Sequence, residues 1–197
     1  MEDLELKDVL KKVAGRILAV EKICIALSFQ IWIVVMAGFY IVIAPLKSVP
    51  AMLVLGYWSA GTAIFIYIER LAWRRASLLI SEGRRKTINT GIVLSWITAS
   101  VIGWFVIPDL LSYTFLEKLA VGLLSFVSIA VAGMILTILI DTKKVALEMI
   151  PAALIPALLI PVVFTVRGNP MYFAGMCVVF SYGITVILYM YRAFKVA

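Results

Sequence analysis

Apolar residues run through this chain in six long blocks, and nearly all of the charge is gathered in the segments between them. Crossing about 30 Å of hydrocarbon takes roughly 20 apolar residues at 1.5 Å rise each. Blocks at 23–46, 51–70, 88–107, 119–140, 149–166 and 171–191 approach that length, the fifth being the shortest. Ahead of the first block the pattern changes. Leu6, Val9, Leu10, Val13, Ile17 and Val20 recur at helical spacing, with Glu5, Lys7, Asp8, Lys11, Lys12 and Arg16 on the other side. That periodicity predicts an amphipathic helix lying on the inner leaflet, its bases near anionic lipid headgroups, or an elbow that steers the first span or meets a soluble partner. The predicted fold is all-α: a polytopic transmembrane helical bundle of about six spans (23–197), preceded by an N-terminal amphipathic interfacial helix (1–22).

Lysine and arginine alternate along this division. Lys7, Lys11, Lys12, Arg16 and Lys22 precede the first block, and Arg70, Arg74, Arg75, Arg84, Arg85 and Lys86 crowd the segment between the second and third. Lys143 and Lys144 follow the fourth block, and Arg192 and Lys195 end the chain. Only Lys47, Lys118 and Arg167 fall in the complementary set. Because cytoplasmic loops collect positive residues, the alternation predicts a multi-pass protein of the cell membrane with both termini cytoplasmic. The aromatics follow the same depths, with Tyr57, Trp58, Trp104 and Tyr172 near the outer interface and Tyr67, Trp73, Tyr189 and Tyr191 near the inner one.

Composition supports lipid as the solvent. Hydrophobic residues make up 64% of the chain and charged residues 15%, against roughly 45–50% apolar for soluble domains. The net charge of +7 is absorbed by the segments flanking the spans, so no nucleic-acid partner is expected. The absence of histidine removes bis-histidine haem, His-containing zinc sites and Ser-His or Cys-His nucleophiles. Cys24 and Cys177 lie at different depths, beyond the reach of a disulfide. There is no GxxxxGK[ST] or GxGxxG motif, so nucleotide hydrolysis would need a separate chain. No cofactor or metal is expected, nor an enzyme. The central parts of the spans hold no Asp, Glu, Lys or Arg, which argues against a proton relay. The carboxylates Glu69, Glu82, Asp141 and Glu148 sit at the cytoplasmic edge beside basic neighbours, where ordinary surface pairing is expected.

Four features remain as candidates. The basic segment 69–90 predicts an extension of the second helix through Ser81, with Gly83 as its C-cap and Thr87 or Asn89 capping the third. It offers Trp73, Arg74, Arg75, Arg84, Arg85 and Lys86, with Leu78, Leu79 and Ile80 as apolar anchors, either to lipid headgroups or to a cytoplasmic protein subunit. Gly91, Ser95, Ala99 and Gly103, four residues apart, form a small-residue stripe for close helix packing, within the chain or across a homo-oligomer. Pro156 and Pro161 interrupt the fifth span and free the carbonyls of Ala152 and Ala157, as a fixed kink or as a hinge. Gln30 is the most polar side chain well inside a span, suited to contact with a neighbouring helix or a ligand.

Together, the basic loop and the proline-broken span give a layout that resembles, in architecture alone, permease subunits worked by a separate ATPase. That resemblance implies a transport subunit acting with a cytoplasmic partner. A non-catalytic scaffold or accessory subunit of a membrane complex accounts for the lack of buried polar groups. An enzyme acting on lipid at the inner leaflet would have only the edge carboxylates to use.

Overall fold

The computed structural model describes residues 2–43, 50–76, 82–112 and 114–196. These residues form helices and short connections, with no strand among them. Helix α1 (Glu2–Gly38) ends in a π-helical turn, Phe39–Ile43. It is followed by α2 (Ala51–Ala76), α3 (Glu82–Val101), a second π-helical turn (Ile102–Val106) and α4 (Ile107–Leu111). Next come α5 (Phe115–Thr142), a 3-10 turn (Leu147–Met149), α6 (Ile150–Val163) and α7 (Pro170–Val196). Among the described residues five helices are long and apolar enough to cross a membrane, and Leu147–Val163 makes a shorter apolar helix.

Local sequence explains most of the boundaries. Thr114 caps α5 through a reciprocal box, its Oγ1 accepting from Glu117 N at 3.3 Å while its own N–H donates to Glu117 Oε2 at 2.9 Å. Lys143 closes the same helix in the left-handed region (φ 57°), its N–H donating to Leu139 O at 2.8 Å. Pro108 stands in the first turn of α4, where a missing N–H costs nothing. The π-helical turn just before it takes up the register change that a proline forces on a continuing helix.

Two boundaries differ from expectation. Residues 22 and 23, where an interfacial helix would give way to the first span, lie inside α1, and the backbone makes no turn there. Gly83, Thr87 and Asn89 are all within α3, so none of them caps a helix at that point. The start moves back to Glu82, an acidic residue well placed at a helix N-terminus, and Arg84–Thr87 carry no breaker that would prevent the extra turns. Leu78, Leu79, Ile80 and Ser81 lie outside the described residues, as do Lys47 and the side chains of Trp73, Arg75, Arg84, Arg85 and Lys86.

The core is built where α1, α5, α6 and α7 meet. Val121, Leu124, Val131, Met149, Val163 and Val178 are fully buried there. Helices α1 and α7 are antiparallel along their length. At one end Tyr40 and Tyr172 pack with ring centroids 5.7 Å apart, and at the other Lys22 lies 5.5 Å over the Tyr189 ring. Gly175 is required at the first end, because a Cβ there would overlap the Tyr40 ring. Midway, Phe29 meets Tyr182 edge-on at 4.9 Å. Helix α3 lies against α5, and α2 lies mainly against α1. Trp32 on α1 bridges these flanking helices, 5.2 Å from Phe65 of α2 and 6.5 Å from Trp96 of α3.

The small-residue stripe of α3 is occupied within the chain. Gly91 faces Thr137, Ala99 is fully buried, and Gly103 lies against the backbone of Phe126, while Gly133 of α5 receives Ser95. These contacts let α3 and α5 approach as small-residue faces do. Helix α6 runs unbroken through both of its interior prolines. Pro156 is buried in the core and Pro161 is exposed.

Candidate functional site

The clearest polar construction in the molecule grows out of the turn between α5 and α6. Thr142 Oγ1 donates to Ile138 O at 2.8 Å and accepts from Lys144 N at 3.1 Å, which tightens the chain reversal at Lys143. Ala146 and Met149 are buried and anchor the following 3-10 turn in the core. The Met149 N–H donates to Ala146 O at 3.0 Å. This short turn points Glu148 inward, where it is only 3% exposed.

Two cations from opposite ends of the sequence meet that carboxylate. Lys22 Nζ of α1 donates to Glu148 Oε1 at 2.5 Å, and Arg192 Nη1 of α7 stands 3.4 Å from the same oxygen. Glu148 therefore does not pair with Lys143 and Lys144, its neighbours in sequence, as surface chemistry suggested. Burying a carboxylate is costly unless opposite charges and hydrogen bonds compensate it. Here the compensation comes from two helices, α1 and α7, at one end of the bundle. A carboxylate held this way ties α1 and α7 to the turn before α6. Nearby, Ser28 Oγ of α1 donates to Glu69 Oε1 of α2, tying the second edge carboxylate to the same helix.

A second feature is what α2 leaves open. Gly56, Ser59, Ala60 and Ala63 share one face of the helix and are exposed, and a Cβ at Gly56 would meet open space. Beside them an open groove of about 440 Å³ is lined by Trp58, Ser59, Thr62, Ala63 and Ile66.

The third is a set of hydroxyls inside the bundle. Ser125 and Ser128 of α5 and Thr185 of α7 are buried, and their oxygens have no hydrogen-bond partner among the described residues. Ser181, one turn before Thr185, donates to Val178 O at 2.9 Å.

The predicted site residues are scattered. Gln30 is exposed on α1, and Arg74 is exposed near the end of α2. Sequence reasoning missed the Glu148 cluster, although a signal was available. Lys22, Glu148 and Arg192 are each the charged residue adjoining an apolar block on the same predicted side, so all three belong at one depth. Comparison with known proteins finds no matching family model, no matching curated protein and no matching solved structure.

Proposed function

We propose that this protein is a non-catalytic subunit of a larger membrane assembly. It crosses the cell membrane six times with both termini in the cytoplasm. The alternation of Lys and Arg supports that orientation. The geometry of α6 supports the count. The helix begins beside Glu148 at the Lys22 end of α1, and α7 begins at the Tyr40 end, so α6 travels the length of the bundle. Its 14 residues cover roughly 21 Å, and the preceding 3-10 turn adds about 6 Å, close to the hydrocarbon thickness.

The observation that carries the assembly reading is the uncovered face of α2. In lipid, small side chains gain little from their surroundings, whereas against another helix they permit close backbone approach. Gly56, Ser59, Ala60 and Ala63 offer such a face along a helix in which, among the described residues, Gly61 alone is buried. The basic segment 69–90 continues from it toward the cytoplasm, next to anionic headgroups and any soluble subunit. Replacing Ala60 and Ala63 with leucine fills the face. The native assembly in source membranes should then run at lower mass on native gels, while the purified variant keeps its unfolding temperature. An assembly of unchanged mass would sink this reading.

Transport with a cytoplasmic partner is the second reading. It is favoured by the buried hydroxyls of Ser125, Ser128 and Thr185, which lack partners among the described residues, and by their depth in a bundle whose α6 carries Pro156.

A further inference from the structure

Between Ala19 and Tyr40 the exposed residues of α1 are Val20, Ile23, Leu27, Gln30 and Val34, alternately three and four apart. That is the spacing of a left-handed coiled-coil seam. The seam continues beyond the bundle. Leu6, Leu10, Val13, Ile17 and Val20 repeat at four and three and meet the inner stretch at Val20 through two successive steps of three, a stammer that shifts the register there; Leu6 and Val13 are 59% and 48% exposed. Because α1 is unbroken, Leu6 stands about 24 Å beyond Lys22 along the axis, and Val13 about 14 Å, at 1.5 Å per residue. Gly15, on another side of the helix, packs against the Val196 carbonyl of α7, so the seam and the intramolecular contact use different faces.

One occupant fits the whole stripe. Lipid would cover Leu27 and Val34 but leave Leu6 and Val13 in water. A soluble partner would do the reverse and leave Gln30, a polar side chain exposed within a span, facing hydrocarbon. A second copy of α1 is apolar at the same positions on both sides of the interface and brings a second Gln30 amide to the same depth, where amides bond across helices. Membrane insertion also fixes direction, since two copies with the same orientation present their first helices in parallel. In that arrangement, and in the register of residues 6–20, Arg16 flanks the seam on one side and Glu21 on the other, five residues on, so each Arg16 falls opposite the second copy's Glu21. The sequence repeats the relation with Glu2 and Lys7.

We propose that two copies of this chain associate in parallel through α1, along a seam that begins at Leu6 outside the membrane and runs through Val20 to Gln30 and Val34 inside it. This rests on the reading of the chain as a membrane subunit and names one of its partners as itself.

The test uses purified full-length protein in dilute phosphatidylcholine vesicles, with Cys24→Ala and Cys177→Ala removing the native thiols. Val13→Cys and Leu27→Cys should each oxidise to a disulfide-linked dimer. Phe180→Cys, an exposed position on α7, should not. Arg16→Glu should lower the Val13→Cys yield roughly three- to tenfold, and adding Glu21→Arg should restore it. No dimer at either α1 position, or an equal yield at Phe180→Cys, overturns the proposal. So does quenching of a fluorophore on Val13→Cys by brominated lipid, which would place the helix on the bilayer surface. Should the cysteine-free background fail to fold, resonance energy transfer between amino-terminally labelled wild-type copies decides the same question. It should rise on mixing donor and acceptor and fall with Arg16→Glu; transfer at the level of random vesicle occupancy overturns the pairing. Because no other chain is present, the result is independent of α2. Ala60→Leu should leave the α1 dimer intact, so loss of the dimer and loss of the larger assembly are separable failures.

Discussion

Lys22 and Glu148, 126 positions apart in sequence, meet in a 2.5 Å ion pair at one end of the bundle. The pair joins the first helix to the turn before α6, and Arg192 brings the last helix to the same oxygen. Three elements that the chain forms early, late and last are thereby fixed at one level. The pair adds to the register that packing sets at the other end, where Gly175 lies under the Tyr40 ring.

Removing one member of a buried pair leaves the other charge without compensation, typically at a cost of 3–5 kcal/mol. Glu148→Gln should therefore lower the unfolding free energy of the purified protein by roughly 3 kcal/mol. Arg192→Gln should cost under about 1 kcal/mol, because Arg192 is 43% exposed and solvent screens it. The double variant Lys22→Met with Glu148→Met should recover much of the loss, since well-packed apolar pairs replace buried ions without penalty. Denaturant titration in one detergent reads all of these, and adding Lys22→Met and Glu148→Met singly completes the double-mutant cycle. A Glu148→Gln protein as stable as wild type would remove that tie from the account.

Helix packing supplies a second, sharper contrast. Gly175 lies under the Tyr40 ring, while Gly56 on α2 has open space where a Cβ would go. Overpacking a core position costs typically 1–3 kcal/mol, whereas alanine in place of an unencumbered helical glycine gains up to about 1 kcal/mol. Gly175→Ala should destabilise the purified protein, and Gly56→Ala should leave it equal or slightly more stable. The same denaturant titration reads both. Equal losses would mean that α1 and α7 do not approach as closely as the Tyr40 contact requires.

Much of this architecture was legible in the sequence, because lipid imposes a simple grammar. Apolar length marks the helices, whereas the Thr114–Glu117 cap that opens α5 and the left-handed Lys143 that closes it are seen only in the structure. The helix that reads as shortest is α6, and the structure makes up its length with a 3-10 turn that no apolar pattern announces. What stayed hidden was pairing at a distance. Glu148 sits four residues from Lys144 and 126 from Lys22, and proximity along the chain favours the wrong partner. Likewise, the period of residues 6–20 marks an apolar face but not its direction. An interfacial helix and a straight extension of α1 share that period, and the unbroken backbone at residues 22 and 23 distinguishes them.

Orientation gives a prediction independent of packing. If the alternation of basic segments sets topology, a reporter fused after Arg75 should be active only in the cytoplasm and one fused after Lys118 only outside. Replacing Arg70, Arg74, Arg84 and Arg85 with glutamine should weaken or invert that preference, because the rule counts positive residues near span ends. Paired alkaline phosphatase and fluorescent-protein fusions measure both sides. Finding the two sites on one side would remove a crossing and the assignment of Glu148 to the cytoplasmic end.

The buried hydroxyls decide between the two functional readings. A serine in hydrocarbon usually satisfies itself on a carbonyl of the preceding turn, as Ser95 does with Gly91 O at 2.8 Å and Thr137 with Gly133 O at 2.9 Å. Ser128 does not, although it is 8% exposed and sits midway along α5. If the bundle serves as a closed structural subunit, Ser128→Cys in a background lacking Cys24 and Cys177 should resist a membrane-impermeant thiol reagent from either side of sealed vesicles. Ser59→Cys on the exposed face of α2 should react with a lipid-soluble maleimide in the same vesicles, which shows that the chemistry works. Labelling of Ser128→Cys from one side would mean that water reaches the middle of α5. The orphan hydroxyls would then line an aqueous path, and the transport reading would displace the structural one.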